Sequence, residues 1–142
     1  MNQLMRGKPL TVFGDGLQTR AFSYIEDVAP WIARSPEIPL ARNETFNIGA
    51  DEEYSVKALA EATMEAIGIH GKLRHLPPRQ EVVNAYADHS KARRVFEMGP
   101  PVSIKEGLGR MADWARSAGI RTSQRFENIE IDRGLPAVWR ED

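Results

Sequence analysis

The stretch that decides the fold is PLTVFGDGLQTRAFSYIEDV, residues 9–28 of the chain. Its first apolar run, Leu10–Phe13, predicts a short strand, and the Gly-Asp-Gly at residues 14–16 has the composition of a turn. Aromatic and β-branched residues at positions 21–25 predict a second strand. Arg20 stands where this second strand begins. We therefore expect a strand–turn–strand unit that presents backbone amides and one guanidinium at the same place.

The rest of the chain divides into short segments bounded by caps, glycines and prolines. A helix is predicted to begin after the N-cap Ser55 and to end at Gly68, with its apolar residues on one face. Ser103 and Glu106 form a capping-box sequence, which predicts another helix running to about residue 118. The other predicted elements are a helix tail at 2–6, a helix capped by Asp27 with Trp31 and Ile32 facing inward, a buried strand at 45–49, an edge strand at 72–76, a short helix capped by Asp88 and a strand at 126–132.

These elements indicate the fold class. Four helices alternate with four or five short strands, which is an α/β (α+β) arrangement with too few strands for a complete doubly wound sheet. We expect one domain over residues 1–120 and a tail extension over residues 121–142. Because the chain opens on what reads as the end of a helix, we also expect it to be cut from a longer protein.

Composition narrows the class of protein. The 142 residues are 42% hydrophobic and 27% charged with a net charge of −1, so the charge does not point to nucleic acid or to a membrane surface. No apolar run reaches the roughly 18 residues of a membrane span. Cysteine is absent, which excludes disulfides and favours a cytoplasmic location. His70, His75 and His89 lack the spacing of ligands on one helix face, so we predict no metal site.

Two polar side chains could bind a ligand. Arg20 offers a planar fork of donors that matches a pair of phosphate oxygens, and the competing interpretation is a surface arginine paired with Asp15 or Glu26. The amide of Asn47 can both donate and accept hydrogen bonds, which suits a ribose or phosphate oxygen. It could equally close the turn before Asp51.

Three motifs occur in the order typical of one family. They are the run from Phe13 to Val28, the Phe-Asn-Ile-Gly at 46–49, and the Arg-Gln-Glu at 79–81 followed by Asp-His-Ser-Lys-Ala at 88–92. Together they resemble the substrate-binding half of the NAD-dependent nucleotide-sugar epimerase/dehydratase family, the extended short-chain dehydrogenases. The sequence DHSKARRVF at residues 88–96 is most similar to that of family members of the UDP-glucose 4-epimerase type.

The resemblance implies a nucleotide-sugar site. The substrate-binding residues that it implies are Thr11, Val12, Phe13, Arg20, Asn47, Arg79 and Glu81. Arg20 and Arg79 would contact the diphosphate and Glu81 the ribose hydroxyls, while the backbone of residues 11–13 would lie against the pyrimidine base. Taken alone, an Arg-x-Glu after two prolines is also typical of a solvated arginine–glutamate pair in a loop, which contributes little energy.

The cofactor half of such an enzyme is not visible in this sequence. The family seats the NAD pyrophosphate on a glycine-rich strand–turn–helix, whereas the only Gly-x-Gly-x-x-Ala string here, residues 107–112, falls inside the helix that Ser103 caps. No tyrosine is followed four residues later by lysine, so the family's catalytic Tyr-x-x-x-Lys pair is absent. We predict no catalytic and no cofactor-binding residue in this chain, with NAD expected only in the complete family enzyme.

The predicted function is the binding of a nucleotide sugar, with uridine as the preferred base, by a truncated and catalytically incomplete portion of an NAD-dependent epimerase or dehydratase. The expected partners are a UDP-sugar and either a missing Rossmann domain or a second copy of the chain. The alternative is a stand-alone, non-catalytic binding or interaction module, which would use the apolar face that a Rossmann domain would otherwise cover.

Overall fold

The computed structural model of the protein describes residues 1–122. Helices and short strands alternate along these residues, which confirms the predicted α/β (α+β) class. The helices are α1 (Asn2–Met5), α2 (Ala29–Arg34), α3 (Val56–Ile67), α4 (Ser90–Phe96) and α5 (Ile104–Ala118). The strands are β1 (Leu10–Phe13), β2 (Thr19–Ala21), β3 (Glu53–Ser55), β4 (Leu73–Leu76) and β5 (Asn84–Ala85). Short 3-10 turns at Ile25–Asp27, Ser35–Glu37 and Pro39–Ala41 flank α2.

The strands form two small sheets that meet at the turn of residues 14–18. In one sheet β1 lies parallel to β4, with Leu10 opposite Leu73. In the other sheet β2 is the central strand, antiparallel to β3 and parallel to β5. Arg20 faces Tyr54 on one side and Ala85 on the other. The turn that joins β1 to β2 therefore brings the end of one sheet against the beginning of the other.

The hydrophobic core lies where α3 and α5 pack on each other and on β1. Val12 of β1 is 1% exposed and Ala112 of α5 is 0% exposed. The buried residues that share this core are Leu4, Leu10, Val12, Ala60, Ile67, Ala112 and Ala115. Burial of a large apolar side chain contributes about 1.5–3 kcal/mol. This packing fixes the position of β1 and, through it, the position of the turn.

The predicted caps of the two long helices are present, one of them in part. The Ser55 Oγ accepts from the amide of Ala58 at 3.0 Å, and Gly68 ends α3 with φ 71°. The Ser103 Oγ accepts from the amide of Glu106 at 3.2 Å. The return bond of the capping box does not form, because the Glu106 carboxylate binds Arg110 at 2.6 Å instead.

Two strand predictions were wrong. The second strand covers Thr19–Ala21 and not residues 21–25, because β3 and β5 supply backbone partners beside residues 19–21 alone. Residues 45–49 form no strand. This segment is held by side chains of the α4 region and not by pairing with a neighbouring strand. For example, Lys91 Nζ donates to the carbonyl of Thr45 at 3.0 Å. The strand predicted at 126–132 lies outside the described residues.

The entry to α2 also differs from expectation. Asp27 does not cap this helix, because its Oδ2 accepts from the amide of Val102 at 2.9 Å. Ile32 is 59% exposed and not inward-facing, whereas Trp31 stacks on Phe96 with ring centroids 6.1 Å apart. Asp88 is not the N-cap of α4 as predicted, because that position is His89 and no side chain caps it; the Asp88 carboxylate lies one residue earlier and accepts from the amide of Ser90 at 2.8 Å.

Candidate functional site

Two glycines in the left-handed conformation fix the turn between β1 and β2. Gly14 has φ 64° and Gly16 has φ 78°, a region that side chains other than glycine rarely adopt. A Cβ on Gly16 would also lie 2.8 Å from Cγ1 of Val12. The Gly14 amide donates to the carbonyl of Leu76 at 2.9 Å, and the Gly16 carbonyl accepts from the amide of Lys57 at 2.9 Å. The turn is thus anchored to β4 on one side and to α3 on the other.

Arg20 is held across two segments of the chain. Its Nη1 donates to the carbonyls of Thr19 at 2.6 Å and Val83 at 3.2 Å, while Nη2 lies 3.0 Å from Oε2 of Glu81. The side chains of Arg20 and Glu81 are 26% and 29% exposed. The guanidinium is therefore positioned by backbone and by a half-buried carboxylate, and it still reaches solvent.

Neither carboxylate that competed for Arg20 in the sequence analysis pairs with it. Asp15 closes its own turn by accepting from the amide of Leu17 at 2.9 Å. Glu26 binds Arg110 at 3.1 Å, on a different part of the surface. The partner of Arg20 is instead Glu81, another of the predicted site residues.

Gln18 connects this ion pair to the end of β1. Its Nε2 donates to the carbonyl of Phe13 and to Oε1 of Glu81, both at 3.1 Å. Gln18 is not among the site residues predicted from the sequence. The signal that could have identified it is its place in the Gly-x-Gly-x-Gln-x-Arg portion of the motif.

Arg79 joins the same group through an aromatic ring. Its guanidinium carbon lies 3.7 Å from the centroid of the Phe13 ring, which is the geometry of a cation–π contact. Glu81 follows two residues later. The structure therefore brings Phe13, Arg20, Arg79 and Glu81 together, as two cations, one carboxylate and an aromatic face.

Thr11 and Val12, the other predicted site residues on β1, have side chains engaged within the protein and offer a ligand their backbone. The Val12 side chain is buried in the core, and the Thr11 Oγ1 accepts from Nε2 of Gln3 at 3.2 Å. Within residues 1–122, β4 is the one strand paired with β1, so the other edge of β1 is open in the sense that it has no strand partner there, although the Phe13 carbonyl accepts from Gln18. A strand edge without a strand partner presents unpaired backbone donors and acceptors.

Asn47 lies apart from the Arg20 group, which consists of Phe13, Arg20, Arg79 and Glu81. Its Nδ2 donates to the carbonyl of Asp88 at 3.4 Å, at the start of α4. The loop around it is tied to the other end of β2, where the amide of Ala50 donates to Oγ of Ser23 at 2.9 Å. The sequence-predicted site is therefore divided between the two ends of β2.

A cluster of His89, Asp51 and Arg93, none of them a predicted site residue, holds the same loop. His89, which is 7% exposed, lies with Nδ1 2.8 Å from Oδ1 of Asp51, and Arg93 binds Oδ2 of the same carboxylate. The hydrogen bond from His89, followed by the charge and hydrogen bond of Arg93, lowers the pKa of Asp51 below its usual range. This cluster fixes the loop to α4.

An apolar cavity of about 250 Å³ lies between α3, α5 and the segment that follows β2. Phe22, Tyr24, Leu59, Leu108 and Met111 are among the residues that line it. The candidate ligand contacts around Arg20 are not among its lining residues. The cavity is therefore distinct from the Arg20 group.

The glycine string at residues 107–112 does not form a dinucleotide-binding turn. Gly107 and Gly109 lie inside α5, and a Cβ on Gly107 would meet the Tyr24 ring at 3.4 Å, so this glycine serves helix packing. Within residues 1–122, no glycine-rich turn joins a strand to the start of a helix in the way that NAD binding requires. No group of three or more histidine and acidic side chains there could hold a metal ion. None of the helices in this part of the chain has the length and hydropathy of a membrane span.

Comparison with known proteins identifies the relatives of this chain. No protein-family model matches it. It is 33% identical over 130 residues to the UDP-glucuronate 4-epimerase of Thermodesulfobacterium geofontis, an alignment that takes in 90% of this chain and 36% of that protein.

Two solved structures share its fold. A mutant UDP-glucuronic acid 4-epimerase from Bacillus cereus, in complex with UDP-4-deoxy-4-fluoro-glucuronic acid and NAD, superposes with a TM-score of 0.74 at 31% identity, over 83% of this chain and 38% of that one. The UDP-glucose 4-epimerase from Thermotoga maritima with UDP-glucose gives a TM-score of 0.70 at 28% identity, over 82% and 38% of the two chains.

The chain spans little more than a third of the length of these relatives. Sequence identity, fold and the motif that contains Arg20 agree with one another. The chain belongs to the NAD-dependent nucleotide-sugar epimerase/dehydratase family.

Proposed function

We propose that this chain is the nucleotide-sugar-binding portion of an NAD-dependent UDP-sugar epimerase or dehydratase. The observation that carries the proposal is the meeting of Arg20, Arg79, Glu81 and Phe13 beside the open edge of β1. The relatives support it, because the two solved enzymes named above hold UDP-4-deoxy-4-fluoro-glucuronic acid and UDP-glucose.

In this proposal the two arginines bind the diphosphate. Within residues 1–122, three of the five N–H donors of Arg20 have partners, which leaves two for phosphate oxygens. Arg79 brings a second cation from the face of the Phe13 ring. A charge-assisted hydrogen bond contributes roughly 1.5–3 kcal/mol, so two arginines account for a large share of the affinity for a diphosphate.

The other residues would bind the nucleoside and the sugar. The backbone of Thr11, Val12 and Phe13 would meet the pyrimidine along the open edge of β1, and Glu81 would accept from the ribose hydroxyls. Because β2 runs from the turn toward the loop that carries Asn47, a ligand lying along β2 could contact both ends of the divided site.

In this proposal hydride transfer takes place on a domain that is not part of this chain. Residues 1–120 would form the binding domain and residues 121–142 a tail extension, within a longer enzyme or beside a separate Rossmann partner that binds NAD. NAD supplies the hydride acceptor in such an enzyme. We expect no epimerase turnover by this chain alone. Its lack of cysteine is in keeping with a cytoplasmic enzyme.

The test is a calorimetric titration of UDP and UDP-glucose into the full chain. Arg20→Ala should weaken binding by about tenfold or more, because it removes charge-assisted bonds to the diphosphate. Arg110→Ala is the matched control, since Arg110 also pairs with carboxylates but lies away from the site. Thermal melts establish that both variants fold. Equal affinities for wild type and Arg20→Ala, or no binding to any of the three, would refute the proposal.

A second candidate is a non-catalytic interaction module. The exposed fractions of Met111 and Trp114 on α5 are 48% and 57%, and Met111 also lines the apolar cavity. An apolar surface of this kind can bind a partner domain or a second copy. Light scattering coupled to gel filtration tests self-association: a dimer that Trp114→Ser dissociates favours this candidate, and a monomer at all concentrations argues against it.

A further inference from the structure

Gln18 occupies a central place in the Arg20 group without being one of its proposed ligand contacts. A primary amide nitrogen has two hydrogens, and on Gln18 both are used, by Phe13 O and by Glu81 Oε1. Reversing the amide would set its oxygen against two acceptors, so the side chain has one favourable orientation. Its own backbone is fixed as well, because the Gln18 carbonyl accepts from the amide of Val56 at 3.1 Å.

This arrangement limits how Glu81 can bind Arg20. With Oε1 held by Gln18, Glu81 reaches Arg20 through Oε2 alone. A carboxylate that is free to turn frequently pairs with a guanidinium through both oxygens, whereas here the bond to Gln18 turns one oxygen away from Arg20. Such a pairing would take up donors of Arg20 that a phosphate needs. Gln18 therefore keeps the carboxylate close to Arg20 while part of the guanidinium stays open.

We propose that Gln18 is a positioning residue of the nucleotide site: its amide holds Glu81 to a one-oxygen contact with Arg20 and so keeps Arg20 available for the diphosphate. This inference rests on the proposed function. It assigns to Gln18 an action through Glu81, with no contact to the ligand. The effect of removing the Gln18 amide must then depend on whether Glu81 is present.

The experiment is a double-mutant cycle on UDP affinity in the full chain. Gln18→Leu keeps the length of the side chain but removes both donors, and it should weaken UDP binding by about tenfold. In a Glu81→Ala background the same substitution should change the affinity by less than about twofold. Gln80→Leu is the control, because Gln80 is exposed and precedes Glu81 in the chain without a hydrogen bond of its own among residues 1–122. If Gln18→Leu does not fold, Gln18→Glu replaces it and should lose at least as much affinity.

The outcomes separate this inference from the function on which it rests. A residue that only stabilises the fold would lower the melting temperature and weaken UDP equally in both backgrounds, and this result would overturn the inference. An unchanged affinity for Gln18→Leu would overturn it too. Failure of Arg20→Ala to weaken UDP binding would refute the proposed function itself, whatever the cycle shows.

Discussion

The Arg20 guanidinium and the Glu81 carboxylate lie 3.0 Å apart although 61 residues separate them in the chain. Two backbone contacts make this approach possible. The amide of Thr19 donates to the carbonyl of Val83 at 2.8 Å, and β5 runs parallel to β2 just beyond it. The pair therefore depends on the sheet as well as on charge, and a cation of another shape should not replace Arg20.

The first prediction concerns that shape. Arg20→Lys keeps the charge but loses the fork that binds two carbonyls and a carboxylate at once. We expect UDP affinity to fall by about fivefold or more, with the melting temperature close to that of the wild type, because a half-exposed ion pair contributes at most about 1 kcal/mol. Calorimetry and thermal melts measure the two quantities. Wild-type affinity in Arg20→Lys would show that charge alone suffices at this position.

The second prediction concerns Arg79 and the ring beneath it. We expect Phe13→Leu, which keeps an apolar side chain but removes the ring, to weaken UDP binding by about threefold, since a cation–π contact near the surface contributes about 0.5–1 kcal/mol. Arg79→Ala should cost about tenfold, because the cation itself is lost. Titrations of both variants beside Arg110→Ala test this order. A larger loss for Phe13→Leu than for Arg79→Ala would contradict it.

Local signals in the sequence were sufficient to predict an element when they mark its ends directly. Ser55 and Gly68 delimit α3 by their own side-chain and backbone chemistry, and both positions were predicted correctly. The extent of β2 was not, because its ladder depends on β3 and β5, which lie far along the chain. A strand that short is defined by its partners and not by its own composition.

The same distinction between local signals and long-range contacts applies to the candidate site. The turn and the place of Arg20 could be read from adjacent residues. Its pairing with Glu81 and the part played by Gln18 required the three-dimensional structure, because they depend on contacts between distant segments. The role assigned to Asn47 by resemblance stays a prediction, and its hydrogen bond to Asp88 O is one that a single local motif could not reveal.

The third prediction tests the turn. Gly16→Ala should lower the free energy of unfolding by about 2 kcal/mol or more, since φ is 78° and the new Cβ would lie 2.8 Å from the buried Val12. Gly68→Ala is the control: its φ is 71°, but nothing lies within 4 Å of its Cβ position, so about 1 kcal/mol is expected from the backbone alone. Denaturant unfolding measures both. Equal losses would show that the contact with Val12 contributes nothing.

The last prediction concerns the acid sensitivity of the loop that carries Asn47. The pKa of Asp51 is lowered, first by the hydrogen bond from His89 and then by Arg93. A carboxyl whose pKa is lower in the folded chain than in the unfolded one stabilises the fold above its unfolded pKa, near 3.9, and this contribution is lost as the pH falls through the folded value.

Asp51→Asn should therefore melt at a lower temperature than the wild type at pH 7, and the gap should shrink as the pH is taken below about 4. Asp88 and Glu44, whose pKa values are also lowered, contribute to acid sensitivity in both proteins and cancel in the difference. Asp113→Asn, which removes an exposed ion pair with Arg116, should change the melting temperature at pH 7 by less. A gap between wild type and Asp51→Asn that stays constant from pH 7 to pH 3 would mean that Asp51 stabilises the loop by shape and hydrogen bonding and not by its charge.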